Sequence, residues 1–157
     1  EYGAGISHFG LSTGGKIHDN KIWFNQSYDE GAGIMIAGEL PRNATALYGA
    51  PGGAQGSGAV DVYNNLIQAN MSNDDGGGLR LLMVGNFPIN VYNNTIVNNV
   101  STHEGGGVAI DDASDVRFYN NTVMTNLTTA PAIPTDGSAA PAGCLGVRTI
   151  ADTPGDP

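Results

Sequence analysis

Three acidic or polar pairs recur along this chain, and they are its most reactive-looking residues: Asp29-Glu30, Asp74-Asp75 and His103-Glu104. Each precedes a glycine-rich triplet and an apolar-x-apolar segment, as in Asp74-Asp75-Gly76-Gly77-Gly78-Leu79-Arg80-Leu81. Paired carboxyl groups suit acid–base work on a glycosidic bond, which needs two of them about 5 to 5.5 Å apart for retention or about 6.5 to 9.5 Å apart for inversion. Arg80, flanked by Met35 and Ala109 at the matching repeat position, is a candidate to bind an acidic sugar or to stabilise developing negative charge. The catalytic candidates are therefore Asp29, Glu30, Asp74, Asp75, His103, Glu104 and Arg80, with Asp111 and Asp112 bordering the same groove. No metal is required by this set. Calcium, which takes six to eight oxygen ligands, is the one cofactor that the pattern admits, at Asp29, Asp74, Asp75 and Glu104. A site built from His8, His18 and His103 is disfavoured because they fall at three different repeat positions. Cys144 lies outside the repeat and has no neighbouring His to activate it.

The elements that hold these residues follow from a repeat of 27 to 29 residues over positions 1 to 126. Its first half is the acidic pair with Gly-x-Gly-apolar-x-apolar. Its second half reads apolar-x-apolar-aromatic-Asn-Asn-x-apolar-x-x-Asn and runs over Val60 to Asn70, Ile89 to Asn99 and Val116 to Asn126, with a degenerate copy from Gly15 to Asn25. One step, Gly31 to Gly76, is 45 residues long, which predicts an inserted loop near 39–57, rich in Gly, Ala and Pro. Each unit carries three short segments of period 2 and none of helical period. So small a unit cannot bury its own apolar face, so successive units must stack, each strand pairing in parallel with its copy. The prediction is an all-β parallel β-helix of four to five coils with three short strands per coil, followed by an irregular tail over 127–157.

Stacking turns each repeat position into a column with a spacing of about 4.8 Å. Ile17, Val62, Val91 and Phe118 form one core column, and Ile22, Ile67, Ile96 and Val123 another. Asn20, Asn65, Asn94 and Asn121, and likewise Asn25, Asn70, Asn99 and Asn126, form amide ladders at bends where Asn tolerates a left-handed backbone. The ladders account for triplets such as Asn70-Met71-Ser72 and Asn99-Val100-Ser101 without glycosylation. Outward from the core, His18, Tyr63, Tyr92 and Tyr119 form an aromatic row, with Tyr63, Tyr92 and Tyr119 as candidate sugar-binding faces; mutual stacking of the rings is the alternative. The acidic pairs should stack as Asp29, Asp74, His103 and Glu30, Asp75, Glu104, where like charges repel unless a proton, cation or substrate intervenes.

This alternation of Asn-Asn turns with Gly-x-Gly-apolar-x-apolar resembles the right-handed parallel β-helix repeats of the pectate-lyase-like superfamily, over residues 1 to 126. The resemblance implies a secreted or cell-surface bacterial protein acting on a polysaccharide, a glycoside hydrolase first and a polysaccharide lyase second. The fold also hosts non-catalytic structural and adhesin modules, which is the alternative. With 6 basic against 15 acidic residues, a net charge of −9 and no basic run, nucleic-acid binding is excluded. No apolar stretch is long enough to span a bilayer. The open ends of a short stack predict a homo-oligomer or membership of a longer chain.

Overall fold

The computed structural model describes residues 3–38, 56–129 and 145–147. Its strands follow the repeat. The first tier holds β1 (Ile6–Phe9), β2 (Gly15–His18), β3 (Lys21–Trp23) and β4 (Gln26–Ser27). The second holds β5 (Ile34–Ala37), β6 (Val60–Tyr63), β7 (Leu66–Gln68) and β8 (Met71–Ser72). The third holds β9 (Leu79–Gly85), β10 (Ile89–Tyr92), β11 (Thr95–Val97) and β12 (Val100–Ser101). The fourth holds β13 (Val108–Ala113), β14 (Val116–Tyr119), β15 (Thr122–Met124) and β16 (Leu127–Thr128), and β17 (Leu145–Val147) lies beyond it.

Among the described residues all pairings are parallel and join equivalent strands of successive tiers. One sheet runs β1-β5-β9-β13-β17, and three four-stranded sheets follow the same tier order. The described residues are thus all-β, a stack of parallel sheets consistent with a parallel β-helix. Among the described residues each tier has four strands where three were expected. The additional one is only two residues long, too short for alternation to register in the sequence. Within 127–157, read as irregular from composition, Leu127–Thr128 and Leu145–Val147 are strands that extend the stack. Most of the inserted loop and tail residues 130–144, Cys144 among them, and 148–157 lie outside the described residues.

The register makes the columns physical. Ile17 pairs with Val62, Val62 with Val91 and Val91 with Phe118, and Ile22, Ile67, Ile96 and Val123 align likewise. These side chains meet in a single core with Ile34, Ile36, Leu79, Leu81 and Val108. The Asn ladders are continuous. Asn65 Nδ2 donates to Asn94 Oδ1 at 2.9 Å and Asn94 Nδ2 to Asn121 Oδ1 at 3.0 Å, and Asn25, Asn70, Asn99 and Asn126 repeat the pattern. The left-handed residue is not the ladder Asn but the one before it: Asp19, Asn64, Asn93 and Asn120 at one bend, Phe24, Ala69, Asn98 and Thr125 at the next. The bend turns at the first position so that the second can point its amide inward. The Gly-x-Gly motif divides its work similarly. Gly31, Gly76 and Gly105 take positive φ, whereas a Cβ at Gly78 would sit 2.5 Å from the Gly107 carbonyl oxygen of the next tier.

Candidate functional site

The acidic turns stack as the repeat requires. Gly31 N–H donates to the Asp75 carbonyl and Gly76 N–H to the Glu104 carbonyl, which fixes the alignment of the three pairs. Buried serines shape each turn. Ser27 Oγ donates to the Asp29 carbonyl at 2.8 Å, and Ser101 Oγ to the Glu104 carbonyl at 2.9 Å. Ser72 Oγ lies 2.9 Å from the Asp75 carbonyl oxygen and 2.6 Å from that of Asp29, and accepts Asp74 N–H at 3.2 Å. These serines went unnoticed as site residues, although their signal was visible: in Asn25-Gln26-Ser27, Asn70-Met71-Ser72 and Asn99-Val100-Ser101 the Asn serves the ladder and the Ser serves the acidic turn.

Arg80 is not at the surface. Only 3% of it is exposed, and Met35 and Ala109, on the same face of the sheet, are equally enclosed. Alternation places Arg80 outward from the core, but around Met35, Arg80 and Ala109 that outer face is itself buried, while Ser7 and Phe9 on β1 are exposed. Its guanidinium reaches Glu30 at 2.5 Å, Asp111 at 2.7 Å and Asp75 at 3.4 Å. Burial opposes its charge, but Glu30, Asp111 and Asp75 outweigh that and raise its pKa. Arg80 is therefore an internal counter-ion rather than a group offered to substrate. Glu30, its closest partner, has its carboxyl pKa raised by burial, with Arg80 pulling the other way. Asp111 belongs to this cluster, and its Oδ1 is buried with no hydrogen-bond partner among the described residues. Asp112 follows at a bulge in the β9–β13 pairing, with φ 47°.

Nearer the surface lie Asp29, Asp74, His103 and Glu104, all partly exposed. Asp75 lies behind them: its Oδ1 accepts Glu104 N–H at 2.9 Å and lies 3.0 Å from His103 Nδ1. A carboxylate there favours the His103 tautomer that carries its proton on Nδ1. Asp74 Oδ1 is 3.6 Å from the same nitrogen. The Asp74 carboxyl pKa is raised, first by burial and then by the charges of Asp75 and Asp29, with His103 and Arg80 opposing. For metal chemistry, ligand atoms of Asp74, Asp75 and His103 lie within 4.8 Å of one another, as do those of Asp75, Glu104 and Asp111. The four calcium candidates Asp29, Asp74, Asp75 and Glu104 do not form one such group among the described residues.

The aromatic row is also present, but with its faces turned to each other. His18 on Tyr63, Tyr63 on Tyr92 and Tyr92 on Tyr119 have centroids 4.7, 5.0 and 5.2 Å apart and planes within 6° of parallel. Tyr63 and Tyr92 thus have a ring against both faces, whereas Tyr119, the last of the row, meets a ring on one face only among the described residues and is 48% exposed. His18 Nδ1 also lies 2.7 Å from Asp19, a hydrogen bond that lowers the Asp19 pKa.

Comparison with protein-family models, curated proteins and solved structures finds no match.

Proposed function

We propose that this chain is a right-handed parallel β-helix protein of pectate-lyase-like architecture, secreted or displayed at a cell surface, that hydrolyses a polysaccharide along the strip formed by Asp29, Asp74 and His103. The observation that carries this reading is Asp74: a partly exposed carboxyl whose pKa is raised by burial and by neighbouring carboxylates, as a general acid requires. Asp29 is its partner, one tier away at the sheet spacing of about 4.8 Å, near the separation used by retaining enzymes. Asp74 delivers its proton to the glycosidic oxygen as the C–O bond breaks, and Asp29 takes the anomeric carbon as an ester. Water then cleaves that ester, giving its proton to Asp74. His103, oriented by Asp75, flanks the acid and sets its charge environment.

The lyase reading has lost its main support, because Arg80 is enclosed by three carboxylates. The same observation favours the second reading, a non-catalytic structural or adhesin module, since Glu30, Asp75 and Asp111 are engaged in holding Arg80. A polysaccharide panel assayed for new reducing ends with wild type, Asp74→Asn and Asp29→Asn separates the two. Hydrolysis requires product from wild type and a loss of about 100-fold or more in both variants. Absence of product on every glycan supports the module.

A further inference from the structure

Tyr63 and Tyr92 have both faces covered by neighbouring rings, but the first tier carries rings that do not belong to that stack. Tyr28 is 82% exposed, Phe24 80% and Trp23 47%. Tyr28 immediately precedes Asp29, in the position that Asn73 holds before Asp74 and Thr102 before His103; Asn73 N–H donates to the Ser27 carbonyl and Thr102 N–H to that of Ser72. It therefore stands on the same turn as the proposed acid strip, in the column next to it. Trp23 and Phe24 flank the other end of β4, with ring centroids 6.5 Å apart and planes tilted by 43°. Phe24 also holds φ 56° at a bend where the other tiers place Ala69, Asn98 and Thr125. A bulky side chain is disfavoured in that conformation, and an exposed aromatic ring is a second liability. Neither Tyr28 nor Phe24 stacks face to face on another ring among the described residues.

We propose that Tyr28, Phe24 and Trp23 form a binding subsite for a neutral glycan, leading from the acid strip around the first tier. Aromatic rings pack against the apolar faces of sugars. The charge pattern selects the uncharged class. The chain carries a net −9, and Asp29 and Glu30 adjoin Tyr28, so uronate polymers and anionic lipid surfaces are repelled. Lys21, the basic group at this patch, lies 5.7 Å over the Trp23 ring and is engaged there. This subsite extends the hydrolase reading but is tested by binding alone.

The test is calorimetric titration of the full chain and of Asp74→Asn with neutral hexasaccharides of β-1,4-linked glucose, xylose and mannose, and with a galacturonate hexamer. Both proteins should bind at least one neutral hexamer and not the acidic one. Tyr28→Ala and Phe24→Gly should each weaken that binding about five-fold, equivalent to about 1 kcal/mol. Phe24→Gly removes a ring from a left-handed position, so its melting temperature should not fall, which separates lost binding from lost folding. Binding without cleavage would refute the hydrolase and leave the subsite standing. Cleavage with unaltered affinity in both ring variants would do the reverse. Failure to bind any neutral hexamer, preference for the galacturonate hexamer, or a dimer that Phe24→Gly dissociates would overturn the subsite.

Discussion

Replacing Arg80 by Met tests how the acidic turns are held. The guanidinium is 3% exposed and pairs with Glu30, Asp75 and Asp111. Methionine fills much of the same volume but leaves three enclosed carboxylates without that cation. Removing one partner of a buried ion pair costs about 3 to 5 kcal/mol, because the uncompensated charge remains. For a chain of this length each kcal/mol shifts the melting temperature by about 2 to 4 °C, so Arg80→Met should melt about 6 to 20 °C below wild type at pH 7. Protons can substitute for the guanidinium. Glu30, whose pKa burial already raises against the pull of Arg80, loses that opposing charge in the variant, so the variant's stability is fullest below the ordinary carboxylate range and falls as pH rises through the raised Glu30 value. The gap from wild type should therefore narrow towards pH 4. Adding Glu30→Gln and Asp111→Asn to Arg80→Met should recover part of the loss at pH 7. Thermal unfolding followed by circular dichroism between pH 4 and 8 reads all of this. A shift below 2 °C that does not vary with pH would refute the reasoning.

Two further outcomes follow from the same geometry. Asn99 is fully buried; it donates to the Ile67 carbonyl and Asn126 Oδ1 and accepts from Asn70, so Asn99→Ala should cost about 3 kcal/mol or more in urea unfolding, as several groups lose partners together. Because burial raises the Glu30 pKa, the folded state binds its proton more readily than the unfolded state does; this contribution to stability is present at acid pH and lost as pH rises past the ordinary carboxylate range. Glu30→Gln should accordingly flatten the decline in stability across that interval, measured as melting temperature against pH.

The repeat was legible because each position answers to one demand. Ile67 and Ile96 must fill the same core layer, and Asn70 and Asn99 must pass the same hydrogen bonds along the stack. What the sequence concealed depends on which faces are covered. Alternation places Arg80 outward from the core, yet the outer face of its sheet is also buried around it, at Met35 and Ala109. The spacing that put Tyr63, Tyr92 and Tyr119 in a row left open whether their faces meet a sugar or each other, and the rings stack on one another. Tyr28, Phe24 and Trp23 escaped a search for recurrence because they have no aromatic counterparts in the other tiers. The short strands such as Gln26–Ser27 were missed for want of length.

The claim that the Asp29, Asp74 and His103 strip performs chemistry is tested most directly by the initial rate of reducing-end release from whichever neutral hexamer binds, for wild type against Asp74→Asn at matched melting temperature. Loss of a positioned general acid predicts a fall of about 100-fold or more with affinity unchanged. Equal rates in the two proteins would contradict it.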